Sequence, residues 1–295
     1  MTIGPRRQQA EAQLRELIRL ERIGVRAANL VLADIRRAAV NAFKIGDPPQ
    51  AVIAPRLHLL GPVMVDALTT SELRGILRAF TNFDAARKHK PKRMSAYSEM
   101  LDYLKDRIGM TDAAIDVMRR KYSNVAATMI QDASAEIERS LQRTLLNIRS
   151  ENLIFTEGLK RFEQALARQS MVMPNANVIE TVFRTQTAIG YAVGRANANA
   201  MPEIDEILWG YEYVTVGDDR VRPEHAALEG LTMPKDDPRW QYLTPPISWN
   251  CRCALLEIYF EGQRVDIPDQ VEVDGELVTA GGDHWDISPA ILLAD

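Results

Sequence analysis

Cys251 and Cys253 are the only cysteines in 295 residues, and they stand one residue apart in "TPPISWNCRC", residues 244–253. A loop that short does not close into a relaxed disulfide. In an extended segment, positions i and i+2 share a face, so both thiols would point the same way with Arg252 opposite. His225 from the preceding turn would bring a third soft or borderline donor. His225, Cys251 and Cys253 would suit Zn²⁺, with Asp218 or Asp219 as a fourth ligand. An enzymatic alternative makes Cys251 the nucleophile and His225 its base, oriented by Asp219. Cys253 has no place in that scheme. A third reading treats the cysteines as small buried apolar groups and His225 as a loop-bonding residue.

The same residues also read as a structural clasp, which is favoured over catalytic use. Asp219 stands where it can bond the free N–H groups of a helix that has Pro223 in its first turn. Arg220 or Arg252 can bridge an acidic loop bidentately. Pro245, Pro246 and Trp249 would hold the loop 231–250 extended against the core. Gly230, Asn250, Cys251 and Cys253 complete the clasp.

The elements that must position these residues follow from periodicity. Residues 6–44 carry apolar side chains three or four apart, as an amphipathic helix does, and "IGDPPQ" breaks it at 45–50. Further helices are expected over 57–83, with an interruption near Gly61-Pro62, over 96–107 up to Gly109, from Thr111 through Ile148, and over 155–168. Another opens at Pro174, rich in small residues that permit close packing. The texture then changes. "WGYEYVTV" (209–216) and "CALLEIYF" (253–260) read as strands, and Asp274-Gly275 marks a hairpin within 271–280. The expected fold class is α+β: a long, mainly helical region over 1–170, then a small mixed α+β domain with a short sheet over 171–295.

Composition is that of a soluble globular protein, with 46% hydrophobic and 26% charged residues. No apolar run is read as approaching the roughly 18 residues that span a bilayer, so no membrane is expected as a partner. The N-terminus lacks the apolar region of a secretory signal. The net charge of −4 conceals an asymmetry: residues 1–170 hold 28 Lys+Arg against 19 Asp+Glu, and residues 171–295 hold 8 against 21. Within the basic half, "RKHKPKR" places Arg87, Lys88, Lys90, Lys92 and Arg93 together. That run would contact DNA phosphates or form a solvated loop. A DNA-binding protein that uses the basic half is therefore a second function class, beside the enzyme centred on Cys251 and His225.

The order of motifs over residues 150–260 resembles the phage Mu F-like head morphogenesis family, also called minor head proteins. Asp219-Arg220-Val221 with His225, Leu228 and Gly230 carry the resemblance, followed by Pro245-Pro246 and Asn250-Cys251-Arg252-Cys253. It implies a non-enzymatic virion protein located in the phage head and assembled in the host cytoplasm. Its partners would be portal, major capsid or scaffolding protein, with packaged double-stranded DNA as a further contact. Family members often carry a Cys-x-x-Cys where this chain has Arg222 and His225, and a His where it has Ser248, so a Zn cofactor is a weaker expectation here.

Overall fold

A computed structural model of the chain describes residues 5–87, 94, 96–151, 155–168, 176–259, 270–273 and 276–279. The first helix, α1 (Pro5–Ile45), ends where Gly46 takes φ +84°, and Asp47 N–H closes back on Ala42. This is the left-handed exit that glycine allows without strain. Next come α2 (Pro49–Leu57) and α3 (Leu60–Ala86). The break between them falls at residues 58–59, not at Gly61-Pro62. Pro62 lies in the first turn of α3, where a missing N–H costs nothing. The helical stretch Pro49–Ala86 holds an 18-residue window of mean hydropathy 1.4, apolar enough by length and composition to cross a membrane, which the sequence reading did not register. Ile53, Leu57, Leu60 and Met64 along it are buried in the protein core.

Helix α4 (Tyr97–Ile108) begins with Glu99 accepting the Ala96 N–H and ends at Gly109, φ +64°. Helices α5 (Asp112–Ser150), α6 (Phe155–Arg168) and α7 (Ala176–Asn199) follow. Pro174, the expected opening of α7, lies outside the described residues. A short helix α8 (Pro202–Asp205) leads into β1 (Leu208–Val214). Then come α9 (Pro223–Ala226), β2 (Thr232–Pro234), α10 (Trp240–Leu243) and β3 (Ala254–Tyr259). The three strands form one antiparallel sheet in the order β2-β1-β3. Gly210 of β1 is required there, since a Cβ would stand 2.0 Å from the Met233 carbonyl oxygen. The expected hairpin is present as β4 (Gln270–Val273) paired with β5 (Glu276–Thr279); its turn residues Asp274 and Gly275 lie outside the described residues. The α+β class expected from sequence is the class observed. The small elements α8, β2 and α10 had no periodic signal and were not anticipated.

By packing, the chain falls into two compact units, and neither is continuous in sequence. One comprises Met1–Glu21, Thr70–Asp112 and Arg184–Asp295; the other comprises Arg22–Thr69 and Ala113–Phe183. The boundary expected near residue 170 falls inside the second unit. Among its described residues the regular elements are all helices. Its core joins Ala28, Leu32, Ile35 and Ala39 of α1 to Ile53, Leu60, Ala126, Phe162 and Phe183, and Phe43 stacks on Phe162 at 4.5 Å.

The first unit is built around the sheet. Ala10 and Leu14 of α1 pack with Val214, Ala254 and Leu256 from β1 and β3, and Gln13 Nε2 donates to the Leu255 carbonyl at 2.9 Å. Helices α3 and α7 approach almost backbone to backbone, as the small residues of α7 suggested. A Cβ on Gly194 would fall 1.9 Å from the Glu72 carbonyl oxygen, and one on Gly75 2.1 Å from that of Tyr191. Glu257 of β3 is buried and ties three elements together. Its carboxylate accepts from Asn82 Nδ2 at 2.8 Å, Arg195 Nε at 2.9 Å and Asn199 Nδ2 at 3.2 Å.

Candidate functional site

The site lies within the first unit, where the loop 217–231 folds over one end of the sheet. Gly217 (φ +73°) turns the chain out of β1. Gly230 (φ +80°) turns it back, with its N–H donating to Tyr213 O at 2.9 Å and the Leu231 carbonyl accepting from Tyr213 N–H at 2.8 Å. Between these turns, Pro223 starts α9 and His225 projects inward, only 3% exposed. From the other side comes the segment 248–253. It is not strand: β3 begins at Ala254, so Cys251 and Cys253 sit in the irregular stretch just before it. Asn250 there takes φ +58°, a region Asn tolerates, and its N–H donates to Thr185 Oγ1 of α7 at 3.1 Å.

Although they are not in a strand, both cysteines turn the same way. Cys251 Sγ lies 3.6 Å and Cys253 Sγ 3.5 Å from His225 Nδ1. The other ring nitrogen, Nε2, lies 3.1 Å from Ser248 Oγ. Arg222 also donates to Ser248 Oγ, and to the Trp249 carbonyl at 2.9 Å. Both cysteines are buried in a cluster with Tyr213, Leu228, Leu231, Met233, Trp240, Leu243 and Ile247. The Tyr213 hydroxyl is buried with no nitrogen or oxygen partner, and its ionisable neighbours are the two sulfurs.

The electrostatics follow from this packing. Burial pushes the Cys251 thiol up, but hydrogen bonding with Cys253 and His225 outweighs it, and Cys251 sits well below the ordinary thiol value. Cys253 is pushed well above that value by its hydrogen bond to Cys251 and by burial. Two adjacent buried thiols thus favour carrying a single negative charge. Burial, then the two cysteines, pushes Tyr213 well up.

The acidic member of the clasp is Asp218, not Asp219. Asp218 receives both guanidinium N–H groups of Arg252, each at 2.7 Å, and the Arg220 backbone N–H at 3.1 Å. Asp219 is exposed. Neither aspartate caps α9; its N-cap is Arg222, with no side-chain cap bond. Arg220 pairs with Asp218 at 3.2 Å. The bidentate partner is Arg252, one of the two arginines considered. Trp249 does not hold the loop against the core, being 44% exposed. Trp240 does so instead: it is buried, Nε1 donates to Pro234 O at 2.9 Å, and its ring meets Tyr211 edge-on at 5.7 Å. Pro246, also buried, follows a cis Pro245-Pro246 bond in the same loop.

Hydrogen bonds from Arg252 hold the Asp218 carboxyl well below the usual carboxylate range, against the opposing effect of burial. A depressed pKa gives stability that is present above the unfolded value of about 3.9 and is lost as pH falls through the folded value. Asp218→Asn is therefore expected to cost about 1 kcal/mol at pH 7, with Asp219→Asn near neutral. The Asp218→Asn deficit should be constant from pH 5 to 8 and shrink only below about pH 4. Urea unfolding of both variants across that range checks the assignment, and equal losses would overturn it.

A cleft of about 210 Å³ adjoins the site, in which Arg184, Arg220, Arg222 and Arg252 stand beside His225, Cys251 and Cys253. His225, Cys251 and Cys253 are the group of described residues able to hold a metal, their ligand atoms lying within 4.8 Å of one another. Asp218 is committed to Arg252. Cys251 and His225 are in contact, but Asp219 does not orient the imidazole, whose far nitrogen meets the Ser248 hydroxyl and not a carboxylate. In the basic run, Arg87 lies over the Phe83 ring at 5.4 Å, while Lys88, Lys90, Lys92 and Arg93 fall outside the described residues. Thr185 and Tyr213 belong to the site but had no motif position to announce them; Asp218 and Ser248 were named only in connection with a metal, and the glycine at 217 was the available signal for the part Asp218 takes in the clasp.

A closed, cross-braced loop on a small sheet, flanked by long helices, is the architecture this site defines. Residues 136–256 match the profile of a family described as Phage Mu protein F like protein, which shows the resemblance read from the motif order. The Mu-like prophage FluMu F protein of Haemophilus influenzae is 36% identical over 102 residues, covering 34% of this chain and 23% of that protein. The putative capsid assembly protein F of Escherichia phage Mu is 42% identical over 78 residues, 26% of this chain and 17% of that one. The aligned part is thus less than a quarter of either relative's length. No solved structure matches the chain.

Proposed function

We propose that this chain is a head assembly protein of a Mu-like tailed phage or prophage, and that it works by protein–protein recognition without bond chemistry. The observation that carries the reading is the match of residues 136–256 to the phage Mu F-like family, with a relative in phage Mu described as a capsid assembly protein. The site supports it. Cys251 is 2% exposed, its neighbour His225 bonds Ser248, and Asp218 and Arg252 are spent on each other. Such a loop holds a surface in shape, which is what a recognition module needs. The partners would be portal, scaffolding or major capsid subunits, and the chain would reside in the phage head.

The test is a nonsense mutation in the gene for this chain, followed by fractionation of induced lysates. Wild-type chain is expected to sediment with heads and to co-purify with portal protein, and its loss is expected to deplete DNA-filled heads at least about tenfold, the scale of a 1.4 kcal/mol assembly defect. Normal yields of infectious particles without the chain would overturn the proposal.

A further inference from the structure

Two sulfurs and one imidazole nitrogen converge on a buried point in a way that hydrogen bonding explains poorly. Nδ1 of His225 has one lone pair or one proton, directed along one line in the ring plane. Yet Cys251 Sγ and Cys253 Sγ stand at nearly equal distances from it, 3.6 and 3.5 Å. A tetrahedral zinc ion with Zn–N of about 2.0–2.1 Å and Zn–S of about 2.3 Å separates its nitrogen and sulfur ligands by about 3.5–3.6 Å. Both observed distances are edges of that tetrahedron.

We infer that His225, Cys251 and Cys253 are the three protein ligands of a zinc site whose fourth position opens to the adjoining cleft. This goes beyond the head-assembly reading and does not depend on it. The donor set suits zinc, being two thiolates and one imidazole. The second shell has the form such sites need: Ser248 Oγ, 3.1 Å from Nε2, accepts a hydrogen bond from the Nε2–H, which keeps the proton on that nitrogen and leaves the Nδ1 lone pair for the metal. The Tyr213 hydroxyl, buried and lacking a nitrogen or oxygen partner, becomes a donor to a coordinated thiolate. Zn²⁺ with two thiolates is neutral, so a centre this deep carries no net charge to desolvate. The fourth position faces Arg184, Arg220, Arg222 and Arg252 across the cleft, so water or a small anion completes the shell.

The test uses the untagged full-length chain, purified without chelator. Metal analysis is expected to return about one zinc per chain, retained on dialysis and removed by a strong chelator with a fall in melting temperature. Reconstitution with Co²⁺ should give the absorption of thiolate-ligated tetrahedral cobalt. Ser248→Ala, which leaves all three ligands in place, should weaken zinc binding by about 10–100-fold. Zinc retained at full stoichiometry in a Cys251→Ala/Cys253→Ala variant would place the metal elsewhere. If that variant does not fold, the cobalt spectrum of the wild-type chain decides whether sulfur is bound. A zinc-free chain that neither binds added Zn²⁺ nor responds to chelator would overturn the inference.

Discussion

Glu257→Gln is expected to destabilise the first unit by about 3–5 kcal/mol, as removal of one partner of a buried ion pair does. The side chain of Glu257 has no exposed area and that of Arg195 is 7% exposed. Burial works against the Arg195 charge, and Glu257 more than offsets it, so the guanidinium is held charged. Glutamine keeps the shape but removes the counter-charge, leaving a cation in the interior. It also turns one of the two oxygens that now accept from Asn82, Arg195 and Asn199 into a donor. The Tyr211 hydroxyl, pushed up to about 12 by burial and then by Glu257, would lose that second influence. Urea unfolding measures the loss. The double variant Glu257→Leu/Arg195→Met should recover much of it, because an apolar pair leaves no orphaned charge. A loss below 1 kcal/mol in Glu257→Gln would mean that water reaches this pair.

Gly194→Ala should cost about 3 kcal/mol, the upper end of overpacking effects. The added methyl would meet the Glu72 carbonyl oxygen at 1.9 Å. That obstacle is backbone, so no rotamer change relieves it, and α3 and α7 must separate by more than an ångström. Separation would loosen the bond from Asn197 to Glu72 and the contact of Arg78 and Tyr191 with Glu16. Gly61→Ala is the contrast. Its Cβ would meet Ile130 Cδ1 at an ordinary 3.4 Å, and alanine is favoured over glycine in helices by up to about 1 kcal/mol. That variant should be neutral or stabilising. Melting temperatures of the pair, moving in opposite directions, check both; a harmless Gly194→Ala would refute the close crossing.

Sequence reading succeeded where the determinants are local. The ends of α1, α4 and α6 were legible because glycine exits and apolar periodicity act within a few residues. The partners of buried polar groups were not. In "CALLEIYF" Glu257 looks like the one wet position of a strand, yet its counter-ion lies 62 residues upstream, in a helix. Choosing Asp219 over Asp218 failed for a related reason: the two are chemically alike, and only the turn after Gly217 decides which meets Arg252. Trp249 was expected against the core, where Trp240 packs instead, because a proline-rich segment shows no periodicity from which to read the buried side. The meeting of His225 with Cys251 and Cys253 was foreseen from residue type, whereas the strand that was to align the two cysteines begins only at Ala254, beyond both of them.

The composition of the first unit bears on how such a gene could exchange parts by recombination. Its sheet is closed by Ala10 and Leu14, and its Glu257 is held by Asn82, all encoded far upstream of the matched segment 136–256. A recombination that delivered only the downstream portion would import Val214, Ala254 and Leu256 without the helix that covers them. Viable hybrids should therefore have crossovers outside the whole interval from residue 10 to residue 259, or carry matched changes at both ends. The inheritable module is longer than the stretch by which kinship is recognised.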